Sequence, residues 1–309
     1  MSTLFSHFFE KINQITPQEA DFTEVLSSIA VKPKTLYFYG KLPQNMVKNG
    51  KQMHSKTVAI VGSRHNTKYG EEIAYKLAYE LGKKGVVVIS GLAYGIDSIG
   101  HRGCLDAGGT TVAVLGTPID QIYPKEHRGL AKEIIETGGA IISEYAPGAE
   151  VFPKTSFLER NRIISGLSDI VVVVEAAEKS GSLNTATHAL AQGKTIFAVP
   201  GNVTSPYSQG CNKLIRQGAI PYSEPDDILR ELFPEDYTKK YRKLKKSHLI
   251  GDTDAETAIL KALAAGARSG DDIMRLSLLP AEVFNQTITM LELNSRVRAL
   301  GMNNWSLIQ

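Results

Sequence analysis

Small and cationic residues follow a buried strand near the middle of the chain. Ile170 to Val174 is an unbroken β-branched run, the pattern of a strand buried on both faces. A helical pattern then runs from Leu183 to Gln192. The turn between them consists of Lys179, Ser180, Gly181 and Ser182. Such a turn can bind an anion, because the free N–H groups and the positive end of the helix dipole point the same way.

More cations lie just upstream of this turn. Arg160 and Arg162 flank Asn161, and Lys179 adds a charge at the mouth of the turn. Two interpretations are open on these residues alone. They form a phosphate cradle, or they belong to an ordinary strand-to-helix turn whose Arg and Lys side chains are solvated.

A second candidate loop follows the strand pattern of Thr57 to Val61. It consists of Gly62, Ser63 and Arg64, and Arg64 stands where a cation would meet a phosphate. The loop lacks the G-x-G-x-x-G order of dinucleotide-binding proteins. The chain also has no Walker A motif and no Gly-x-Ser-x-Gly nucleophile turn. We therefore expect no nucleotide cofactor.

Other reactive residues carry weaker signals. Asp97 and His101 lie one helical turn apart, so an acid–base pair is open, but capping and packing are favoured. The remaining histidines lack metal-ligand spacing, so we expect no metal. Cys104 and Cys211 are far apart, which fits buried thiols in a reducing cytosol.

The elements that position these loops alternate regularly from residue 57 to 222. Strand patterns separated by helical patterns predict βαβ units and a mostly parallel sheet with helices on both faces. The fold class is therefore α/β, an extended, doubly wound, Rossmann-like sheet. Ligands of such folds bind beyond the carboxyl ends of the strands. The loops at such ends begin at Gly62, Gly91, Gly116, Lys179 and Gly201. This coincidence favours the phosphate-site interpretation.

The chain of 309 residues divides into four predicted segments. Residues 1–35 are a short helical leader, 36–234 the Rossmann-like domain, 235–252 a basic linker, and 253–309 three helices with a terminal hairpin, the pattern of a winged helix. The linker is a solvated hinge or a DNA-contacting arm. The third helix, Ala281 to Leu293, has no Arg or Lys, which argues against strong DNA binding by this unit and favours a protein-interaction role.

Composition limits the function further. The chain is 42% hydrophobic and 22% charged with a net charge of +3, so any nucleic-acid site must come from a local concentration of charge. We find no stretch apolar enough to span a bilayer and no signal-peptide pattern, so we expect no membrane partner and a cytoplasmic location.

A set of motifs in fixed order carries a family resemblance. They are Gly62-Ser63-Arg64, the run from Ser90 to Asp97, Tyr123-Pro124, Phe152-Pro153, the run from Arg160 to Ser168, Glu175-Ala176, the run from Lys179 to Ser182, and Val199-Pro200-Gly201-Asn202. In these motifs the chain resembles the DNA-processing protein A family, also called Smf. The resemblance covers about Thr35 to Leu232, and the last unit is similar to that family's winged helix.

The resemblance implies a recombination mediator rather than an enzyme. Such proteins bind single-stranded DNA, and double-stranded DNA more weakly, without sequence specificity. They protect incoming DNA during natural transformation, load the RecA recombinase, and act as homodimers. Carried over by motif, the DNA-binding residues would be Gly62, Ser63, Arg64, Arg160, Asn161, Arg162, Lys179, Ser180, Gly181 and Ser182. No exposed aromatic ladder is evident in these loops, so we expect phosphate contacts to outweigh base stacking.

Two other classes stay open at this point. Nucleotide phosphoribohydrolases of the same superfamily resemble a Pro-Gly-Gly-x-Gly-Thr pattern, whereas this chain has Pro200-Gly201-Asn202. A purely structural interaction protein would bind no DNA even at low salt.

Overall fold

The strand patterns of the sequence form one nine-stranded sheet. In the computed structural model the described residues are 11–48, 51–53, 55–235 and 249–308. The sheet consists of β1 (Asn13–Ile15), β2 (Leu36–Gly40), β5 (Thr57–Val61), β6 (Val87–Ser90), β7 (Thr111–Leu115), β8 (Ala140–Ser143), β9 (Ile170–Val173), β10 (Thr195–Ala198) and β11 (Ile220–Pro221). A separate antiparallel pair consists of β3 (Met46–Lys48) and β4 (Lys51–Met53). The chain divides into two units, Met1–Leu232 and Phe233–Gln309, and the large sheet belongs to the first.

The spatial order of the sheet is β1-β2-β8-β7-β6-β5-β9-β10-β11. All neighbours from β8 to β11 pair in parallel, and only β1 and β2 add antiparallel strands. The prediction of a doubly wound, mostly parallel sheet is confirmed. Successive strands β5 to β8 extend in one direction from β5, and β9 to β11 extend in the other. The junction of β5 and β9 is therefore the topological switch point, where open α/β sheets bind their ligands.

Helices cover both faces of this sheet. They are α1 (Asp21–Glu24), α2 (Lys68–Lys83), α3 (Ile96–Asp106), α4 (Arg128–Glu136), α5 (Pro153–Gly166), α6 (Gly181–Ala191), α7 (Gln209–Arg216) and α8 (Pro225–Leu232). Alternate strand residues point to opposite faces. Val114 and Val173 pack in a core with residues of α5 and α6, whereas Ala113 and Leu115 pack with residues of α3 and α4. Burial on both faces explains why the strands read as continuous apolar runs.

The leader differs from the expectation of a short helical segment. It does contain α1 and a 3-10 turn at Val25–Ser28, but β1 adds an antiparallel edge strand beside β2. Ile15 of β1 is partly buried against the main core. A strand of three residues is too short to show an alternating pattern, so no pattern in the leader predicts it.

The second unit has the predicted winged-helix arrangement. It contains α9 (Asp254–Ala264), α10 (Gly270–Ser277), α11 (Ala281–Leu293), β12 (Val297–Gly301) and β13 (Asn304–Leu307). Side-chain caps start two of the helices, since Thr253 accepts from the Glu256 amide and Ser269 from the Asp272 amide. Most of the predicted basic linker, residues 236–248, lies outside the described residues.

Two absences hold for the described part of the chain. None of its helices has the length and apolarity needed to cross a bilayer. Its histidines, cysteines and carboxylates form no group of three or more that could hold a metal ion.

The two cysteines lie in the core, and this makes a testable prediction. Burial raises the pKa of both the Cys104 and the Cys211 thiol to about 12. Because the thiolate is the reactive form, we expect no reaction of the native protein with Ellman's reagent at pH 8. In urea both thiols should react. Rapid modification of one thiol in the native protein would contradict this placement.

Candidate nucleic-acid interface

Nine of the ten predicted site residues line one cleft at the switch point. Strands β5 and β9 are neighbours, with Val61 in register with Val173, so the loops that follow them emerge side by side. The first turns of α5 form the third wall. The cleft has a volume of about 690 Å³. Its predicted members are Gly62, Ser63, Arg64, Arg160, Asn161, Lys179, Ser180, Gly181 and Ser182.

The first wall is a closely packed loop that presents Arg64. The Ser63 carbonyl accepts a hydrogen bond from the Ile96 amide at 3.1 Å, and the Ser63 hydroxyl accepts one from the His65 amide at 3.1 Å. Gly95 has a φ of +74°, and a Cβ there would overlap the Ser63 carbonyl oxygen. Only glycine therefore permits this approach. Arg64 itself is exposed, as is His65, which also lines the cleft.

The second wall is the N-terminus of α6. The Ser180 hydroxyl caps it by accepting from the Ser182 amide at 3.3 Å. Asn161 fixes its position, since the Asn161 side-chain amide donates to the Gly181 carbonyl at 3.3 Å. A Cβ on Gly181 would meet no atom within 4 Å, so the first turn opens into the cleft. With Lys179 exposed beside it, this end of an eleven-residue helix can stabilise a phosphate.

Arg160 lies below the floor of the cleft. Its residue is only 4% exposed, and its guanidinium donates to the carbonyls of Gly91 and Val114. Burial lowers the pKa of Arg160 to about 10, while the charge of Asp97 opposes that shift. Arg160 is thus still charged at neutral pH, but its hydrogen bonds go to the protein interior.

Arg162 is not brought into the cleft. Its Nη2 atom contacts both carboxylate oxygens of Glu144, at 2.7 and 2.8 Å, on the other side of α5. Its side chain is 9% exposed. Residues two apart on a helix point in nearly opposite directions. The side chains of Arg160 and Arg162 therefore cannot both point to the same wall of the cleft.

The carboxylates near the cleft are bound to the protein itself. Asp97 accepts from the amides of Gly91 and Ala93, at 3.0 and 3.4 Å. Glu175 accepts from the Thr67 amide at 2.8 Å and the Thr67 hydroxyl at 2.6 Å, which fixes the start of α2. Burial raises the pKa of Asp97. These bonds give both carboxylates a structural role.

His101 does not pair with Asp97. Its Nδ1 atom lies 2.7 Å from the Thr111 hydroxyl, inside the core. Burial lowers the pKa of His101 to about 3, so the ring is neutral at physiological pH. Of the two interpretations of Asp97 and His101, the structure favours capping and packing over acid–base chemistry.

The structure adds an aromatic platform that the sequence interpretation missed. Tyr123 and Phe157 both line the cleft, with ring centroids 5.5 Å apart and planes inclined by 51°. Tyr123 is 49% exposed. The Arg64 guanidinium lies 5.5 Å from the centre of the Phe157 ring, within cation–π range. The position of Phe157, one helical turn before Arg160, could have indicated that it lines the cleft. An aromatic residue at that spacing, however, usually belongs to a core.

Comparisons with known proteins agree with this fold and these motifs. The family model described as DNA recombination-mediator protein A matches residues 13–233, and the model of the DprA winged helix domain matches 245–301. The chain is 46% identical over 184 residues to Protein Smf of Escherichia coli, a match that spans 58% of this chain and 48% of that protein. It is 40% identical over 222 residues to the DNA processing protein DprA of Bacillus subtilis, covering 72% of this chain and 71% of the relative.

Two solved structures are similar to this chain. The DprA structure from Streptococcus pneumoniae has a TM-score of 0.62 and 35% identity, covering 74% of this chain and 76% of that one. DNA processing protein A from Helicobacter pylori, described in terms of its single-stranded DNA binding mode, has a TM-score of 0.61 and 30% identity, covering 74% and 98%. By its sequence, its fold and its switch-point loops, this chain belongs to the DNA recombination-mediator protein A family.

Proposed function

We propose that this chain binds single-stranded DNA in the switch-point cleft and acts there as a recombination mediator. In the cell it protects incoming DNA, loads the RecA recombinase during natural transformation, and works in the cytoplasm as a homodimer. The family membership supports these cellular roles, and the solved Helicobacter pylori relative is described as binding single-stranded DNA. The chain spans about half the length of the Escherichia coli relative, so the activity of a whole relative is part of the proposal.

One observation carries the proposal. Exposed cations on two walls, Arg64 and Lys179, face a cleft that also holds the N-terminus of α6 and the ring of Phe157. Cations and helix amides bind phosphates of any sequence. An aromatic ring stacks on any base, but only where the base is not already stacked inside a duplex. Together they favour a single strand over a duplex and do not read base edges.

The bound carboxylates support binding rather than catalysis. A hydrolase of the phosphoribohydrolase type needs a carboxylate free to act on its substrate. Asp97 and Glu175 are instead occupied by backbone amides and by Thr67. The alternative of a nucleotide-cleaving enzyme therefore has less support from this site.

Titration of DNA into the protein tests the proposal. Fluorescence anisotropy with labelled single strands of two unrelated sequences and with a duplex of equal length should show similar affinities for both strands and weaker binding of the duplex. Light scattering on the same samples should report a dimer. Preferential duplex binding, or release of free base from a nucleoside monophosphate, would overturn the function proposed.

A further inference from the structure

A second pair of exposed aromatic rings lies on the loops beside the cleft. Tyr123 lines the cleft and is 49% exposed, and Tyr94, on the loop after the neighbouring strand β6, is 43% exposed. Tyr94 lies beside the segment that follows Tyr123, since its hydroxyl donates to the Glu126 carboxylate and its ring meets the ring of His127. The loops that carry Tyr94 and Tyr123 follow the neighbouring strands β6 and β7, so both rings lie at the carboxyl edge of the sheet.

Tyr94 is held in place although it is exposed. Its hydroxyl donates to the Glu126 carboxylate at 2.6 Å. Its ring meets the ring of His127 at 5.1 Å with an interplanar angle of 65°, and His127 Nδ1 lies 2.7 Å from the Leu92 carbonyl. A ring fixed at its hydroxyl and at one edge loses little further freedom when a ligand stacks on it.

Two basic side chains lie close in sequence to these rings. Lys125 and Arg128 are exposed and lie within five residues of Tyr123 along the chain. The carboxylate between them, Glu126, is occupied by the Tyr94 hydroxyl. Aromatic rings interleaved with cations are the arrangement by which proteins bind a single strand without reading its sequence, because rings stack on bases and cations meet the phosphates between them.

We infer that Tyr94, Lys125 and Arg128 form a second subsite for single-stranded nucleic acid, continuous with the cleft through Tyr123. Bases beyond those held in the cleft stack on Tyr123 and then on Tyr94, and their phosphates lie near Lys125 and Arg128. The inference rests on the proposed function. It adds the path of the bound strand, which leaves the cleft across the loops after β6 and β7.

The consequence is a dependence of affinity on strand length. The experiment measures binding of full-length protein to oligothymidylates of about 4 to 16 nucleotides, the range of site sizes for sequence-independent single-strand binding. Tyr94→Ala should bind the shortest strands as wild type does. It should bind the longest about tenfold more weakly, the loss expected for one stacked base. Tyr94→Phe keeps the ring but loses its bond to Glu126, so it should show a clearly smaller loss than Tyr94→Ala on the longest strands.

Tyr79, in the half of α2 that leads away from the cleft, provides the control. It is half-buried, and its ring stacks beside that of Tyr75 with centroids 6.1 Å apart. Tyr79→Ala should leave the length dependence unchanged. Wild-type affinity of Tyr94→Ala for the longest strands, or an equal loss at every length, would overturn the separate subsite. Failure of the wild type to bind strands of any length would instead overturn the proposed function.

Discussion

The variant Arg64→Ala/Lys179→Ala is expected to lose nearly all binding of single-stranded DNA at physiological salt while it keeps its fold. The two side chains are exposed on two walls of the cleft, so each can contact a phosphate. A hydrogen bond to a charged group contributes about 1.5–3 kcal/mol. Loss of two such contacts should weaken binding by about a hundredfold or more. Each single substitution should weaken binding of any sequence to a similar extent.

The salt dependence identifies the cause of this loss. Each phosphate contact releases counterions, so the slope of log affinity against log salt should become shallower by about 0.7 for each lost contact on a single strand. The matched control is Lys83→Ala/Lys84→Ala, which removes the same charge at the other end of α2 from the cleft. Its slope should stay close to that of the wild type. Wild-type affinity of the folded double variant would place the DNA path elsewhere, with the basic linker as the next candidate.

The variant Arg160→Ala should lose stability rather than a phosphate contact. It removes the donor to the Gly91 and Val114 carbonyls and leaves Asp97 buried without its compensating charge. Removal of one partner from a buried charge pair costs about 3–5 kcal/mol of unfolding free energy. Urea unfolding followed by circular dichroism should therefore show a clearly lower midpoint for this variant.

Two further variants serve as controls for this unfolding measurement. Arg160→Lys keeps the charge but loses the Nε–H bond to the Asn161 side chain, so its stability should be intermediate. Arg64→Ala, at an exposed position, should stay within about 0.5 kcal/mol of the wild type. If Arg160→Ala is as stable as the wild type and binds DNA poorly, then Arg160 contacts phosphate directly and its burial is not structural.

Arg64 and Arg160 belong to two of the family motifs and have different roles in the cleft. Arg64 presents its charge to the cleft, whereas Arg160 holds the Gly91 loop and the Asn161 side chain, which in turn fixes α6. Gly91 is part of this arrangement, since a Cβ there would overlap the Arg160 guanidinium. Gly91 and Arg160 thus help to build the cleft.

Much of the fold could be predicted because it depends on local patterns. The β-branched runs at β5 and β9 specify buried strands, and glycine-rich loops after them specify the carboxyl-edge site. The three helices and the hairpin of the winged-helix unit were predicted, and Ser269 is a side-chain cap whose effect reaches only one turn. Burial of Cys104 and Cys211 likewise follows from residue type.

What only the tertiary structure decided is which side chains face one another across the cleft. The sequence by itself determined the α/β class and the winged helix, and it predicts an anion site at the loops of Gly62 and Lys179. It could not rank Arg160 against Arg162, because helical periodicity shows that they diverge but not which one faces the core. Nor could the contact between Tyr123 and Phe157 be predicted from the sequence, because it joins the loop after β7 to α5, and both are positioned by packing on the sheet. Strand order and side-chain exposure arise from pairings between distant residues, and no local pattern records them.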